Sequence, residues 1–172
     1  MTTSVRVSTK THSVTHVATN ILWGLRHIVR DCGLDQTKMV NQWAVLEAGT
    51  SVWLTSGDLR ALLLEVYDPR RGVGNDLIGR FDFTIDYGYY PDGDGDLWLD
   101  PDTVAFAIRR AGTYASACSY RFVADVAPGH PMVDGWSDSS FRSTQGMSRK
   151  SLGTGIGGGS LGTNLSYYRR TS

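Results

Sequence analysis

The sequence has few cysteines, no long apolar run and no net charge. Its two cysteines, Cys32 and Cys118, stand in neither a metal-binding nor a redox spacing. We therefore expect buried thiols in a reducing compartment, with a disulfide between them as the alternative. No apolar stretch approaches the roughly 18 residues of a membrane span, and the polar first residues contain no signal-peptide core. These absences predict a cytoplasmic protein without a membrane partner.

The charges cancel overall but are segregated along the chain. Lysine plus arginine and aspartate plus glutamate number 17 each, so no overall field attracts the chain to nucleic acid. Seven aspartates and no basic residue lie between Phe81 and Ile108, whereas five basic residues face only two aspartates after Pro128. Hydrophobic residues make up 41% of the 172 residues, which predicts one folded domain with its own core.

The apolar spacing predicts two helices first. One runs from Val14 to the Cys32-Gly33 pair, and the second is capped by Asp35 and ended by Gly57. The buried stripe of the second helix is predicted to contain Met39, Val40, Trp43, Leu46, Trp53 and Leu54.

Strands and a third helix are predicted next. "LRALLLEVYD" (59–68) is rich enough to be a central strand, and "RFDFTIDY" places Phe81, Phe83, Ile85 and Tyr87 on one face. The third helix is capped by Asp100, begins at Pro101 and ends at Gly112. "ACSYRFVADVAP" is a strand with Tyr120, Phe122, Ala124 and Val126 on one side, terminated by Pro128. This order predicts an α+β fold, with helices on a small, mostly antiparallel sheet.

The last 45 residues are rich in Gly, Ser and Thr but carry many large apolar side chains. We expect an ordered, irregular wrapping segment with short strands around "FRSTQGMSRKSLG" and "NLSYYRR".

Local motifs for chemistry are incomplete. "GGSLG" fits the G-x-S-x-G turn of hydrolases, but no strand is predicted before Ser160, no helix after it, and no Asp or His comes later in the chain. The glycines around it also lack the lysine and helix start of a phosphate loop. "DGDGD" (92–96) lacks the later glycine and glutamate of a calcium loop, and His12 and His16 lack further zinc ligands. We expect no metal, no cofactor, no small-molecule substrate and no enzymatic activity.

Several stretches together resemble a bacterial HORMA-domain protein of cyclic-oligonucleotide (CBASS) anti-phage systems. They are "SVTHVATNILWGLRHIVRDCGLD", "VLEAGTSVWLTSGDLRALLLEVYDP", "IGRFDFTIDYGY", "DGDGDLWLDPDTVAFAIRRAG" and "GWSDSSFRSTQGMSRKSLGTGIGG". The resemblance implies a single HORMA domain over 1–172, with a flexible N-terminus (1–11), a core (12–127) and a C-terminal safety belt (128–172). It further implies a peptide-binding switch that closes its belt over a closure-motif peptide and then activates a cGAS/DncV-like nucleotidyltransferase. An AAA+ ATPase would reset it.

The same resemblance places candidate site residues. The peptide-binding residues are expected on the last core strand and in the belt: Cys118, Ser119, Tyr120, Arg121, Phe122, Val123, Ala124, Trp136 and Phe141. The belt hinge is expected at Pro128, Gly129, Gly157, Gly158 and Gly159. The ATPase is expected to engage Thr2, Thr3, Ser4, Val5 and Arg6.

Two alternatives remain open. The first is a structural, oligomer-forming interaction protein. The second, least favoured, is a hydrolase that uses Ser160 or Cys118.

Overall fold

The computed structural model describes residues 9–87, 98–99, 101–158 and 161–170. Its helices are α1 (Thr9–Asp31), α2 (Thr37–Ser56) and α3 (Pro101–Ala111). Its strands are β1 (Leu59–Tyr67), β2 (Leu77–Asp86), β3 (Trp98–Leu99), β4 (Ser119–Val126), β5 (Met147–Gly158) and β6 (Leu161–Arg170).

The six strands form one sheet in the order β3-β5-β6-β2-β1-β4, and every neighbouring pair is antiparallel. The main core lies between one face of this sheet and the helices. The predicted α+β fold is confirmed, and β1 is central as expected. β4 forms one end of the sheet, while the β5–β6 hairpin lies on the other side of β2.

Helix α1 buries one stripe at the spacing that the sequence predicts. Val17, Ile21, Leu25 and Ile28 recur every three or four residues and are all fully buried. The helix begins at Thr9 rather than at Val14. Residues 9–11 of the segment expected to be flexible are therefore helical, and residues 1–8 lie outside the described residues.

Helix α2 has the predicted bounds with one corrected residue. The Asp35 carboxylate accepts a hydrogen bond from the Thr37 N–H at 3.0 Å, although Gln36 directly precedes the helix. Gly57 ends α2 at a φ of 77°, where a Cβ would be strained. Val40 is wrongly placed in the buried stripe: it is 63% exposed, because the described elements leave that side of the helix uncovered.

Strand β1 is buried on both faces. Leu62, Leu64 and Val66 pack into the main core, whereas Ala61 and Leu63 form a second, smaller cluster with Val123 of β4. Successive side chains of a strand alternate between faces, so Glu65 lies on the face opposite the helices.

The C-terminal residues differ from the expectation of two short strands. β5 and β6 form one long hairpin whose β6 pairs with β2, while residues 141–146 are not in a strand. The expectation that no strand precedes Ser160 is therefore wrong, because β5 ends at Gly158. Leu161 begins another strand and not the helix that a hydrolase turn requires.

Candidate functional site

Strand β4 offers an edge whose outer main-chain groups face away from the sheet. Its recorded strand pairing is with β1. The Tyr120 carbonyl accepts a hydrogen bond from Lys38 Nζ at 2.5 Å and therefore points away from β1. In an antiparallel strand the N–H and C=O of one residue point to the same side, and this side alternates. The main-chain groups of Phe122 and Ala124 consequently point outward, past the edge of the sheet.

A segment of 20 residues, 127–146, leads from β4 to β5 without helix or strand, and we call it the crossing segment. It starts on the helix side of the sheet and ends on the opposite face, so it passes around the β4 edge. Two sets of contacts hold it there, one on each side of that edge.

The first attachment joins the crossing segment to α2 through two tryptophans. Trp53 Nε1 of α2 donates to the Pro131 carbonyl at 2.8 Å, and Trp136 Nε1 donates back to the Val45 carbonyl of α2 at 2.9 Å. The two indole rings meet edge to face with centroids 5.1 Å apart. Helix α2 and the crossing segment thus each donate an indole hydrogen bond to a main-chain carbonyl of the other.

This attachment needs two glycines. A Cβ on Gly49 of α2 would lie 2.4 Å from Trp136 Nε1, which no real side chain tolerates. Gly135 has a φ of 89°, and a Cβ there would lie 2.8 Å from Val45 Cγ2. The absence of both side chains lets the crossing segment lie directly on α2.

The second attachment is an ion-pair network centred on Glu65. This carboxylate is 0% exposed, and its Oε1 accepts from Arg121 Nε at 2.6 Å. Its Oε1 also accepts from Arg142 Nη1 at 3.2 Å, and its Oε2 accepts from the Arg142 main-chain N–H at 2.9 Å. Because Arg142 belongs to the crossing segment, Glu65 fixes the end of that segment over the face opposite the helices.

The two arginines of the network have further partners. Arg121 donates to Ser139 Oγ at 2.8 Å and to the Ser140 carbonyl. Arg142 Nε donates to Asp76 Oδ2 at 3.0 Å, and its guanidinium lies 3.7 Å from the centroid of the Tyr67 ring. Burial opposes the charged form of Arg142, but the hydrogen bonds to Asp76 and Glu65 outweigh it and raise the pKa of the guanidinium.

Between the two attachments lies a cavity of about 580 Å³, with the β4 edge on one side and the crossing segment on the other. Its lining residues come from α2, β4 and the crossing segment: Trp53, Phe122, Val123, Ala124, Asp125, Val126, His130, Met132, Val133, Trp136, Ser137, Asp138, Ser139 and Phe141. The structure therefore places an open space against main-chain groups that have the geometry to pair with another strand.

Five of the nine residues expected to bind peptide line this cavity: Phe122, Val123, Ala124, Trp136 and Phe141. The other four precede them on or before β4 and have structural partners instead. The hydroxyl of Tyr120 donates to the Asp35 carbonyl at 2.5 Å and accepts from the Met39 N–H at 3.1 Å, which ties β4 to α2.

The remaining three have separate roles. Arg121 holds the crossing segment through Glu65. Ser119 pairs with Tyr67 at the start of β4. Cys118 lies just before the strand, with its N–H bonded to the Ala115 carbonyl.

Sequence reasoning missed most of the wall opposite β4. Trp53 is recognisable from the sequence only as a buried helix residue, and it is indeed 3% exposed. His130 and Met132 carry no motif, yet the His130 ring lies 5.5 Å from Trp53 and Met132 is 85% exposed beside the cavity. The one sequence signal that could have been found is a methionine in the largely polar stretch that follows Pro128.

The expected hinge residues divide into two groups. Pro128 and Gly129 form the turn by which the chain leaves β4, and Gly129 has a φ of 80°. Gly157 and Gly158 instead lie in β5, paired with Gly162 and Leu161 of β6. Those two glycines are thus held in a ladder, not in a flexible connection.

Other candidate positions fall outside the described residues. They are Gly159, Ser160 and the five expected ATPase contacts, Thr2, Thr3, Ser4, Val5 and Arg6. Asp92, Asp94 and Asp96 of the calcium-like stretch lie outside them as well.

The described residues give no support for metal or thiol chemistry. They contain no group of three or more His, Cys, Asp or Glu that could hold a metal ion. Cys32 and Cys118 are free thiols rather than a disulfide. Burial raises the pKa of Cys32 to about 11 and also raises that of Cys118, so both favour the unreactive thiol. None of the described helices is long and apolar enough to span a membrane.

Comparison with known proteins gives one family and several solved structures. Residues 2–171 match the family model described as Bacterial HORMA domain 2. A chain of the mitotic checkpoint complex superposes with a TM-score of 0.70 at 10% identity, covering 93% of this chain and 99% of that chain.

Two further structures contain partners. C. elegans HTP-1 bound to the HIM-3 closure motif matches with a TM-score of 0.51 at 14% identity, over 79% of this chain and 72% of that chain. The E. coli MS115-1 CdnC:HORMA-deltaN complex matches with a TM-score of 0.58 at 13% identity, over 92% and 88%. No curated protein sequence matches this chain. At these identities the structural likenesses show a shared fold.

Proposed function

The chain belongs to the bacterial HORMA domain 2 family, and we propose that it is a conformational-switch adaptor that captures a closure-motif peptide between β4 and the crossing segment. The peptide adds a strand to the sheet, and the crossing segment, the first part of the safety belt, holds it in place. The observation that carries this proposal is the cavity of about 580 Å³ against the outward-facing edge of β4.

The edge geometry suits strand addition. The outward main-chain groups of Phe122 and Ala124 supply hydrogen bonds to any extended peptide, and the cavity walls distinguish its side chains. The β5–β6 hairpin pairs with β2 on the far side of the sheet, so it leaves the β4 edge open. We interpret this arrangement as the closed form of the switch.

Breaking either attachment of the crossing segment opens a gap beside the peptide, and breaking both lets the whole segment leave the β4 edge. The tryptophan contacts on α2 and the Glu65 network on the opposite face are each local, and neither is part of the sheet ladder. The segment can therefore leave the edge while the main core stays intact, with Pro128 and Gly129 as the hinge.

The proposed partner of the closed form is a cGAS/DncV-like nucleotidyltransferase of a CBASS anti-phage system. The similar E. coli protein, which was solved in complex with CdnC, supports this assignment. We further propose that an AAA+ ATPase resets the switch by engaging Thr2–Arg6, which lie just ahead of the first described residue of α1, Thr9.

An enzymatic role has less support. The partly buried Cys118 thiol has a raised pKa, which is the opposite of what a cysteine nucleophile needs. Ser160 is followed by a strand, and the last ten residues contain no His or Asp.

Peptide capture can be tested with Ala124→Pro. Proline removes the outward N–H of Ala124, which a peptide strand would use. Because this N–H points away from β1, no hydrogen bond of the β1–β4 ladder is lost, and an edge strand tolerates the substitution. Peptide binding should be lost while the circular dichroism spectrum is retained, and the control Ala124→Ser, which keeps the N–H, should bind normally.

A chemical version of the test leaves the protein unchanged. A bound peptide N-methylated at one set of alternate residues should lose affinity, whereas methylation of the other set should be tolerated. Equal tolerance of both sets would refute strand addition. The partner is tested separately by measuring nucleotide-oligomer synthesis by a cGAS/DncV-like nucleotidyltransferase with and without the peptide-loaded protein.

A further inference from the structure

The side-chain chemistry of the captured peptide can be inferred from the two walls of the cavity, an inference that rests on the proposed function. A strand added to β4 alternates its side chains in step with its neighbour. Residues opposite Ala124 point to the helix side, because Ala124 packs against the main core. Residues opposite Asp125 point to the face opposite the helices, the face on which Val123 packs.

The helix-side wall is largely the ring surface of two tryptophans. Trp53 and Trp136 both line it, and each indole N–H is already bonded to a main-chain carbonyl. A polar side chain placed there would lose its hydrogen bonds to water without replacement, which costs free energy. Ala124 is the smallest lining side chain and leaves room opposite it. This position therefore accepts an apolar side chain.

The other wall is acidic. The lining residues include two carboxylates, Asp125 and Asp138, and neither lysine nor arginine. Asp125 lies 4.0 Å from Arg60, and both side chains are well exposed, so water and salt screen this pair. The nearby guanidinium of Arg121 is occupied by Glu65 and Ser139.

Asp138 lies on the crossing segment directly before Ser139, which Arg121 holds over this same face. The two carboxylates thus flank the path of the peptide from opposite sides, β4 on one and the crossing segment on the other.

We infer that this protein selects peptides in which an apolar residue, seated opposite Ala124, has a lysine or arginine as its direct neighbour, seated opposite Asp125. The pattern does not depend on strand direction, because the neighbour falls opposite Asp125 in either a parallel or an antiparallel pairing. The recognised class is therefore an extended segment that carries an adjacent apolar and basic pair.

The test is a selection from a random peptide library with the full-length protein, followed by affinity measurements on selected peptides. Enriched peptides should share an adjacent apolar and basic pair. The double variant Asp125→Asn, Asp138→Asn should bind them about 5- to 10-fold more weakly at low salt, as expected for two partly exposed ion pairs. The matched control Asp31→Asn, on the exposed end of α1, should bind as the unmodified protein does.

The double-mutant cycle assigns the effect to the basic residue. Replacing it by alanine should weaken binding by the same factor, and the aspartate variants should then cause no additional loss. Enriched peptides without a basic residue, or variants without effect, would overturn the inference and leave strand capture intact. Selection of no peptide at all would instead count against the proposed function itself.

Discussion

Substituting Glu65 by glutamine tests whether the ion-pair network holds the crossing segment over the sheet. Glutamine keeps the shape of the side chain but removes its charge and turns one acceptor oxygen into a donor. The three hydrogen bonds from Arg121 and Arg142 then lack a matching set of acceptors. Breaking a buried ion pair typically costs about 3–5 kcal/mol.

The expected cost here is smaller, because water reaches the partners. Arg121 and Arg142 are 28% and 23% exposed, so both can be partly solvated once the pair is broken. We therefore expect a loss of about 2–3 kcal/mol, discounted from the buried limit. If the loss falls on the attachment, the opening of residues 139–146 becomes roughly 30- to 160-fold more frequent.

Hydrogen–deuterium exchange measures this opening directly, because the Arg142 N–H itself donates to Glu65. Relative to the unmodified protein, the exchange rate of the variant should increase at residues 139–146 and change little in β1 and β2. The matched control is Asp31→Asn, an exposed carboxylate paired with its neighbour Arg30 at the end of α1. Unchanged exchange at Arg142 in the Glu65 variant, or equal acceleration throughout the sheet, would refute the attachment.

Two further predictions concern packing and titration. Gly49→Ala should displace Trp136, because the new Cβ would lie 2.4 Å from its Nε1. We expect a loss of about 1–3 kcal/mol in urea unfolding and a shifted indole NMR signal. Gly72→Ala, which meets nothing within 4 Å, is the control and should change neither. Burial raises the pKa of Cys32 from 9.0 to about 11, so above pH 9 the unfolded thiol ionises first and the free energy of unfolding should fall as pH rises to 11. Burial raises the pKa values of Tyr87, Tyr114, Tyr120 and Tyr167 as well, so Cys32→Ala should make the fall between pH 9 and 10 smaller without abolishing the fall at higher pH. Iodoacetamide should label Cys118 well before Cys32, and rapid labelling of Cys32 in the folded protein would contradict its burial.

The elements of the core could be predicted because their patterns are local. The spacing of Val17, Ile21 and Leu25 specifies the buried face of α1, and alternation along β4 correctly separates Phe122 and Ala124 from Val123. The β5–β6 hairpin could not be predicted in this way. Glycine disfavours strands locally, and the glycines of β5 are tolerated because β5 pairs with β6, which is itself paired with β2.

The cavity lining could be predicted in part, on strand β4 and at the aromatic residues Trp136 and Phe141 of the crossing segment, but the contacts that hold that segment could not. The partners of Glu65, Arg121 and Arg142, come from two other parts of the chain, so an apolar run that contains one glutamate gives no sign of the network. The contact between Trp53 and Trp136 likewise joins residues that no local pattern relates.

The two attachments of the crossing segment also have a topological consequence. A ligand enclosed by a segment fastened on both sides of the β4 edge has no sideways exit. It either threads lengthwise through the opening or waits until one fastening releases. A free peptide end can thread, whereas a stretch inside a folded partner requires release. The lifetime of the complex is then determined by the rate at which the tryptophan or glutamate contacts break, and weak individual contacts with the ligand are compatible with a residence time far longer than their affinity suggests.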